Sequence, residues 1–239
     1  MGETPFESEG AAVLPWLALQ QLLDSAIPIG GFSHSFGLET LVQEERIRTS
    51  NELEAYASAM LAQSWSTADA MVIKAVYRDA AAADWDRLWA VEKLVHVQRT
   101  AVETRVGVEK MGRRLLQLLG SIYPETDWTP LTNALRNGSS FATHPLVHGF
   151  ACYRFGIPLN QAAEGYLYAC IVTCINSALR LMSIGQTEGQ SIIARLAPLA
   201  SKAWLAASEL EPEDAYSNMP MAEIAMIRHE TLYSRLFMS

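Results

Sequence analysis

The run GYLYACIVTCINSAL, Gly165–Leu179, is the longest uncharged apolar stretch of the chain. It has three competing readings. A membrane span needs about 20 apolar residues, and this run is shorter and is interrupted by Thr173, Asn176 and Ser177. A strand is suggested by Ile171-Val172-Thr173-Cys174-Ile175, but no turn residue bounds that segment and no alternation continues it. A buried helix remains, and the apolar spacing extends it over Asn160–Met182. A helix apolar on all sides must be covered by other helices.

Those covering helices are legible outward from it. Helical periodicity predicts helices over Val13–Asp24, Leu38–Ile47, Leu53–Trp65, Ala70–Ala82, Trp85–Val97, Thr100–Gly120, Ser140–Phe155, Ile192–Glu209 and Met221–Leu236, with Thr129-Pro130 opening one more. Several starts carry capping signals. Thr49 and Glu52 have capping-box spacing, as do Ser66 with Asp69 and Thr187 with Gln190; Asp84 stands before Trp85. No segment alternates like a half-buried strand. The expected fold is all-α, a single domain of about ten helices over residues 13–239. Residues 1–12 begin with the polar, acidic MGETPFESEG, which lacks a signal-peptide layout and is expected to be a flexible segment.

Composition narrows the function classes. Apolar residues make up 50% and charged residues 18%, below the roughly 25% charge usual for soluble domains. A large core or surfaces covered by other proteins would account for this. The net charge is −8, with no run of Lys or Arg, which argues against nucleic acid and against anionic membranes. Cys152, Cys170 and Cys174 cannot all pair and form no CxxC, which fits a reduced, cytoplasmic protein.

The chemistry candidates are few. His144 and His148, four apart in THPLVHGF, could share a metal on a helix face, but no HExxH is present and a capping or core pair is the simpler reading. Tyr166, Tyr168, Cys170 and Cys174 could line a pocket, as in a small-molecule enzyme, but core packing with cysteine as a small hydrophobe is the simpler reading; an i,i+4 cysteine pair cannot complete a four-ligand zinc site. His229 beside Glu230 reads as solvated. The segment DSAIPIGGFSHSFGLET holds Gly30, Gly31, Phe32, Ser33 and His34 between two helices. It is not a P-loop, because no strand precedes it and the first lysine is Lys74. It has no GxSxG, and Ser33, His34 and Ser35 are adjacent, which rarely gives triad geometry. It reads as a helix–turn–helix link in which glycines supply unusual φ angles. At the other end, HETLYSRLFMS places Arg235 before Leu236, Phe237 and Met238, residues costly to leave in water. They dock either on their own core or on another protein.

DSAIPIGGFSHSFGLET, IGQTEGQ and HETLYSRLFMS, taken together and in this order, resemble the signatures of the UreF-type urease accessory proteins, over about Leu14 to Ser239. The resemblance implies an all-α, homodimeric protein that is not itself an enzyme. Its implied partners are a UreD/UreH-type accessory protein, a UreG-type GTPase and apo-urease. The implied role is GTP-dependent nickel insertion into apo-urease. No cofactor is implied to be bound stably: the complex handles nickel and the partner GTPase handles GTP. By the same resemblance, Gly30, Gly31, Phe32, Ser33 and His34 would face a partner, with Phe32 where some relatives carry tyrosine. Arg235, Leu236 and Phe237 would become ordered against the UreD/UreH-type partner. The residues leave room for a direct nickel carrier using His34, His144 and His148.

Overall fold

Helix α9 (Leu159–Leu181) runs through the centre of the computed structural model, which describes residues 14–239. Its Leu167, Ile171, Ile175 and Ala178 have no exposed surface. Around it stand α1 (Pro15–Leu23), α2 (Leu38–Gln43), α3 (Ser50–Met60), α4 (Ala70–Ala75), α5 (Trp85–Gln98), α6 (Val102–Ile122), α7 (Thr129–Asn137), α8 (His144–Arg154), α10 (Gln186–Ala207) and α11 (Pro220–His229). Helices α10, α8, α4, α2 and α1 all touch α9. Among the described residues there is no strand, and no helix is long and apolar enough to cross a membrane. The fold is all-α, as the periodicity requires. The expected flexible segment, residues 1–12, lies outside the described residues.

Helices α3 and α4 are parts of one continuous rod. Between them Leu61–Asp69 keeps helical backbone but widens to i→i+5 bonding, and Val76–Ala80 does so again. The Ser66/Asp69 spacing therefore does not start a new helix. Nothing in Leu61–Asp69 breaks the rod: no glycine or proline occurs there, and Ser66, Thr67 and Ala68 are buried. Counted as rods, the α-helices of the described residues number ten.

Local signals decide the other ends. The Thr49 hydroxyl accepts from the Glu52 N–H at 3.2 Å, while the Glu52 carboxylate accepts from Thr49 N–H at 3.0 Å, a complete capping box. Asp84 caps α5 through Arg87 N–H. Thr187 does not cap α10; that helix starts at Gln186, and the Thr187 carbonyl accepts instead from Ser191. Helix α2 is shorter than its pattern because Glu45 takes φ +57°. Helix α8 starts at His144, later than Ser140, because buried Glu92 captures the N–H groups of Phe141 and Thr143 and the Ser140 hydroxyl. Helix α11 stops at His229, seven residues before the expected Leu236.

Two seams are set by glycine. A Cβ on Gly112 of α6 would lie 2.0 Å from the Ala142 carbonyl oxygen, so α6 and the start of α8 approach as only glycine allows. Gly37, at φ +85°, leads into α2 beneath α11, where a Cβ would stand 3.1 Å from Met226 N.

Candidate functional site

The loop after α1 and the tail after α11 meet at one corner, although more than 190 residues separate them. Gly30 takes φ +86° and opens a single 3-10 turn, Gly31–Ser33; the unusual φ falls on Gly30, whereas Gly31 is not among the positive-φ residues. The turn holds Phe32 outward, 71% exposed, and directs His34 and Ser35 inward. The His34 ring fits against Gly107 of α6, where a Cβ would come within 2.8 Å of its Cε1, and stacks on Phe36 at 5.5 Å.

The tail lies along this loop. The Ser239 main-chain oxygen accepts from Ser35 N–H at 2.6 Å, from Phe36 N–H at 3.0 Å and from the Ser35 hydroxyl at 2.9 Å. Met238 N–H donates to the Ser33 carbonyl at 2.8 Å. His34 Nδ1 and the Ser239 hydroxyl are 2.7 Å apart. Phe237 is buried, with the Arg180 guanidinium 4.4 Å from its ring centroid. Arg180 also donates to the Phe32 carbonyl at 2.9 Å, so one α9 side chain touches both segments.

Charge fixes the root of the tail. Glu39 of α2 accepts from Leu236 N–H at 2.6 Å and from Phe237 N–H at 3.0 Å. Arg235 donates to Glu103 of α6 at 2.6 Å. His229 has no exposed surface and sits between Glu39 at 3.0 Å and Glu103 at 2.8 Å. The expectation that His229 is solvated is therefore wrong: the buried face of α11 carries Ala222, Ala225, Met226 and His229 together. Burial opposes the Glu103 charge, but hydrogen bonds from His229 and Arg235 outweigh it and hold its carboxyl below the usual range. Burial pushes the His34 imidazole down to about 4, with Lys110 and His229 adding to the effect.

The corner thus contains all the loop and tail residues singled out in the sequence, but not all on its surface. Phe32, Arg235 and Leu236 are exposed; His34 and Phe237 are the inner pieces on which the surface rests. Exposed Tyr233 and Met238 extend it. Arg180, Glu39, Glu103 and His229 were not legible as members.

The other candidates lie beneath the loop. Burial pushes His144 down to about 3, with His148 adding to it, and His148 down to about 4. His148 Nε2 donates to the Ala162 carbonyl at 3.0 Å, so that nitrogen is engaged. Burial raises the thiols of Cys170 and Cys174, the latter to about 12, as expected of small core hydrophobes. His144, Tyr166 and both cysteines line a partly open cavity of about 110 Å³ together with His34, Ser35 and Phe36 of the loop, and there Asp69 pairs with Arg99 and accepts from the Tyr166 hydroxyl. Among the described residues no group of three His, Cys, Asp or Glu side chains is placed to hold a metal.

Comparison with known proteins gives the family. The UreF family profile matches residues 47–197. A urease accessory protein UreF of Streptococcus thermophilus (strain ATCC BAA-491 / LMD-9) is 30% identical over 239 residues, all of both chains. One from Bacillus sp. (strain TB-90) is 31% identical over 223 residues, 93% of this chain and 98% of its own. One from Nostoc sp. (strain PCC 7120 / SAG 25.82 / UTEX 2576) is 33% identical over 224 residues, 94% of this chain and 96% of its own. With the profile covering well over half of the chain and full-length relatives at this identity, the chain belongs to the UreF family.

Proposed function

We propose that this chain is a urease accessory factor that works by assembling partners rather than by chemistry of its own. The observation that carries the reading is the joined corner. Two distant segments use buried polar contacts to present Phe32, Tyr233, Leu236 and Met238 to solvent. Four large apolar side chains facing water around a polar, hydrogen-bonded seat form a docking surface rather than a reaction centre. The partner read there is a UreD/UreH-type accessory protein, and the resulting complex recruits a UreG-type GTPase and apo-urease. GTP-dependent nickel insertion proceeds in that cytoplasmic assembly, with nickel as the cargo of the complex.

A second apolar face supports the homodimer. Leu14, Trp16 and Leu17 of the α1 region are exposed, and Leu14 and Leu17 line an open groove with Ile122 and Tyr168. A two-fold dimer needs one self-complementary patch, and α1, which carries this one, packs on α9.

The test is coexpression of the chain with the UreD/UreH-type protein, the GTPase and apo-urease from the same source. The intact chain is expected to co-purify stepwise as a discrete complex and to restore nickel-containing urease. Deleting Arg235–Ser239 should abolish capture of the UreD/UreH-type partner while helix content stays unchanged by circular dichroism. A tailless chain that still forms the full complex would overturn the role of the corner.

A further inference from the structure

We propose that His229 is the positioning residue of the corner: held as a cation between Glu39 and Glu103, it determines whether the 235–239 tail lies docked on the 30–37 loop. The inference rests on the reading of this corner as a partner-facing surface, but its own test needs no partner.

His229 Nε2 faces Glu39 Oε2 at 3.0 Å and Nδ1 faces Glu103 Oε2 at 2.8 Å. With both carboxyls ionised their oxygens only accept; both ring nitrogens then donate, and a ring with two N–H groups is positive. The groups facing it are Glu39 from α2, Glu103 from α6 and, through Glu103, Arg235 from the tail. Lys110 and His229 both act on the His34 imidazole, and Arg228 on its own helix pairs with Glu44. Two carboxylates, one imidazolium and one guanidinium sum to zero. Buried charges persist only in such balanced, hydrogen-bonded sets.

Glu39 transmits the effect. Its Oε2 is shared between His229 and Phe237 N–H, and its Oε1 between Leu236 N–H and Gln43 Nε2. It is almost wholly buried, and His229 is the cationic side chain bonded to it. Remove that cation and Glu39 is a buried carboxylate without a counter-charge, which must turn toward water. The amides of Leu236 and Phe237 then lose their acceptor, Phe237 leaves Arg180, and Ser239 leaves the loop.

The experiment is hydrogen–deuterium exchange of the full-length chain, reading residues 230–239 against α9, for His229→Gln and His229→Lys. In His229→Gln the cluster carries one excess negative charge and Glu39 has no cation beside it. Tail exchange is expected to rise at least tenfold while α9 protection is unchanged. His229→Lys returns a cation beside Glu39, so tail exchange should fall back toward wild type. A merely structural role predicts the opposite, because the longer lysine side chain departs further from the packed ring than glutamine does. Nitrogen-15 NMR of the wild-type ring, which needs no variant to fold, should show both ring nitrogens protonated at neutral pH. An undisturbed tail in His229→Gln, a lysine variant looser than the glutamine variant, or a neutral ring would each overturn the proposal. If exchange behaves as expected but partner capture is indifferent to the tail, the functional reading fails and the latch stands.

Discussion

The seam between α6 and α8 and the corner between loop and tail solve the same problem by opposite means. At the seam, Gly112 lets backbone touch backbone, and Leu115 of α6 and Leu146 and Phe150 of α8 are buried apolar groups. At the corner, contact is made by Glu39, Glu103, His229, Arg180 and Arg235 around a single buried Phe237. Close packing is non-directional and tolerates no added volume. A charged cluster is directional and fails when one member is lost. The first suits a scaffold. The second suits a segment that must be held in one arrangement and be able to leave it.

Acid should strain scaffold and corner together. His144 and His148 are neutral in the fold, held at about 3 and about 4 by burial, against an ordinary value of 6.5, and burial also holds His34 and His96 at about 4. The unfolded chain takes up these protons as pH falls below about 6.5, and the native chain does not. Their stabilising neutrality is therefore fully present above that pH and is lost as pH falls toward 4. His144 and His148 alone give a slope of roughly 3 kcal/mol per pH unit near pH 5, and His34 and His96 add to it in the same direction. Glu92, whose carboxyl burial pushes up despite its donors, works weakly the other way. Urea denaturation at stepped pH measures the slope; a flat profile between pH 6.5 and 4.5 would contradict the burial of these rings.

Gly112→Ala should come next. The new Cβ would meet the Ala142 carbonyl at 2.0 Å and the Thr143 carbonyl carbon at 2.5 Å, backbone atoms that cannot swing aside. A loss of about 3 kcal/mol is expected. Gly120→Ala in the same helix, where the Cβ meets nothing, is the control and should be neutral or slightly stabilising.

At the corner the effects should be local. Arg180→Ala removes the cation over Phe237 and the donor to the Phe32 carbonyl, together about 1–2 kcal/mol. Melting temperature should move little, while exchange of the 236–238 amides accelerates. A large drop in melting temperature would mean that the corner belongs to the scaffold after all.

The same contrast decides what could be read from the sequence. The central helix, the Thr49–Glu52 box and the all-α class rest on patterns within about ten residues, and periodicity and capping act over that range. Ser66 and Asp69 misled because capping spacing is also common inside a helix that burial keeps continuous. The corner was half legible. Loop and tail each stood out as motifs, but their union depends on pairs such as His229–Glu39, 190 positions apart. His229 could have been found: its charged neighbours Arg228 and Glu230 hid it, yet it follows Ala222, Ala225 and Met226 at helical spacing. Arg180 offered a fainter signal, as the charge that ends a long apolar run.

The smallest effect on stability should accompany the sharpest effect on assembly. Phe32 is 71% exposed, and its backbone carbonyl rather than its ring binds Arg180. Replacing the ring with a serine side chain leaves the loop's hydrogen bonds in place, so stability should shift by no more than about 0.5 kcal/mol. An aromatic anchor filling a partner's pocket contributes about 2 kcal/mol or more, which is roughly thirtyfold in affinity. Phe32→Ser should therefore fold as wild type, keep its tail protected and, on the proposed reading, bind the UreD/UreH-type partner at least tenfold more weakly in a titration. Phe32→Tyr, which keeps the aromatic face and restores the hydroxyl that the motif resemblance associates with this position, should bind at least as well as wild type. If Phe32→Ser binds normally, the exposed ring is not the contact. The recognised part of the corner would then be the tail side, Tyr233, Leu236 and Met238, with the loop serving only as the seat that holds it.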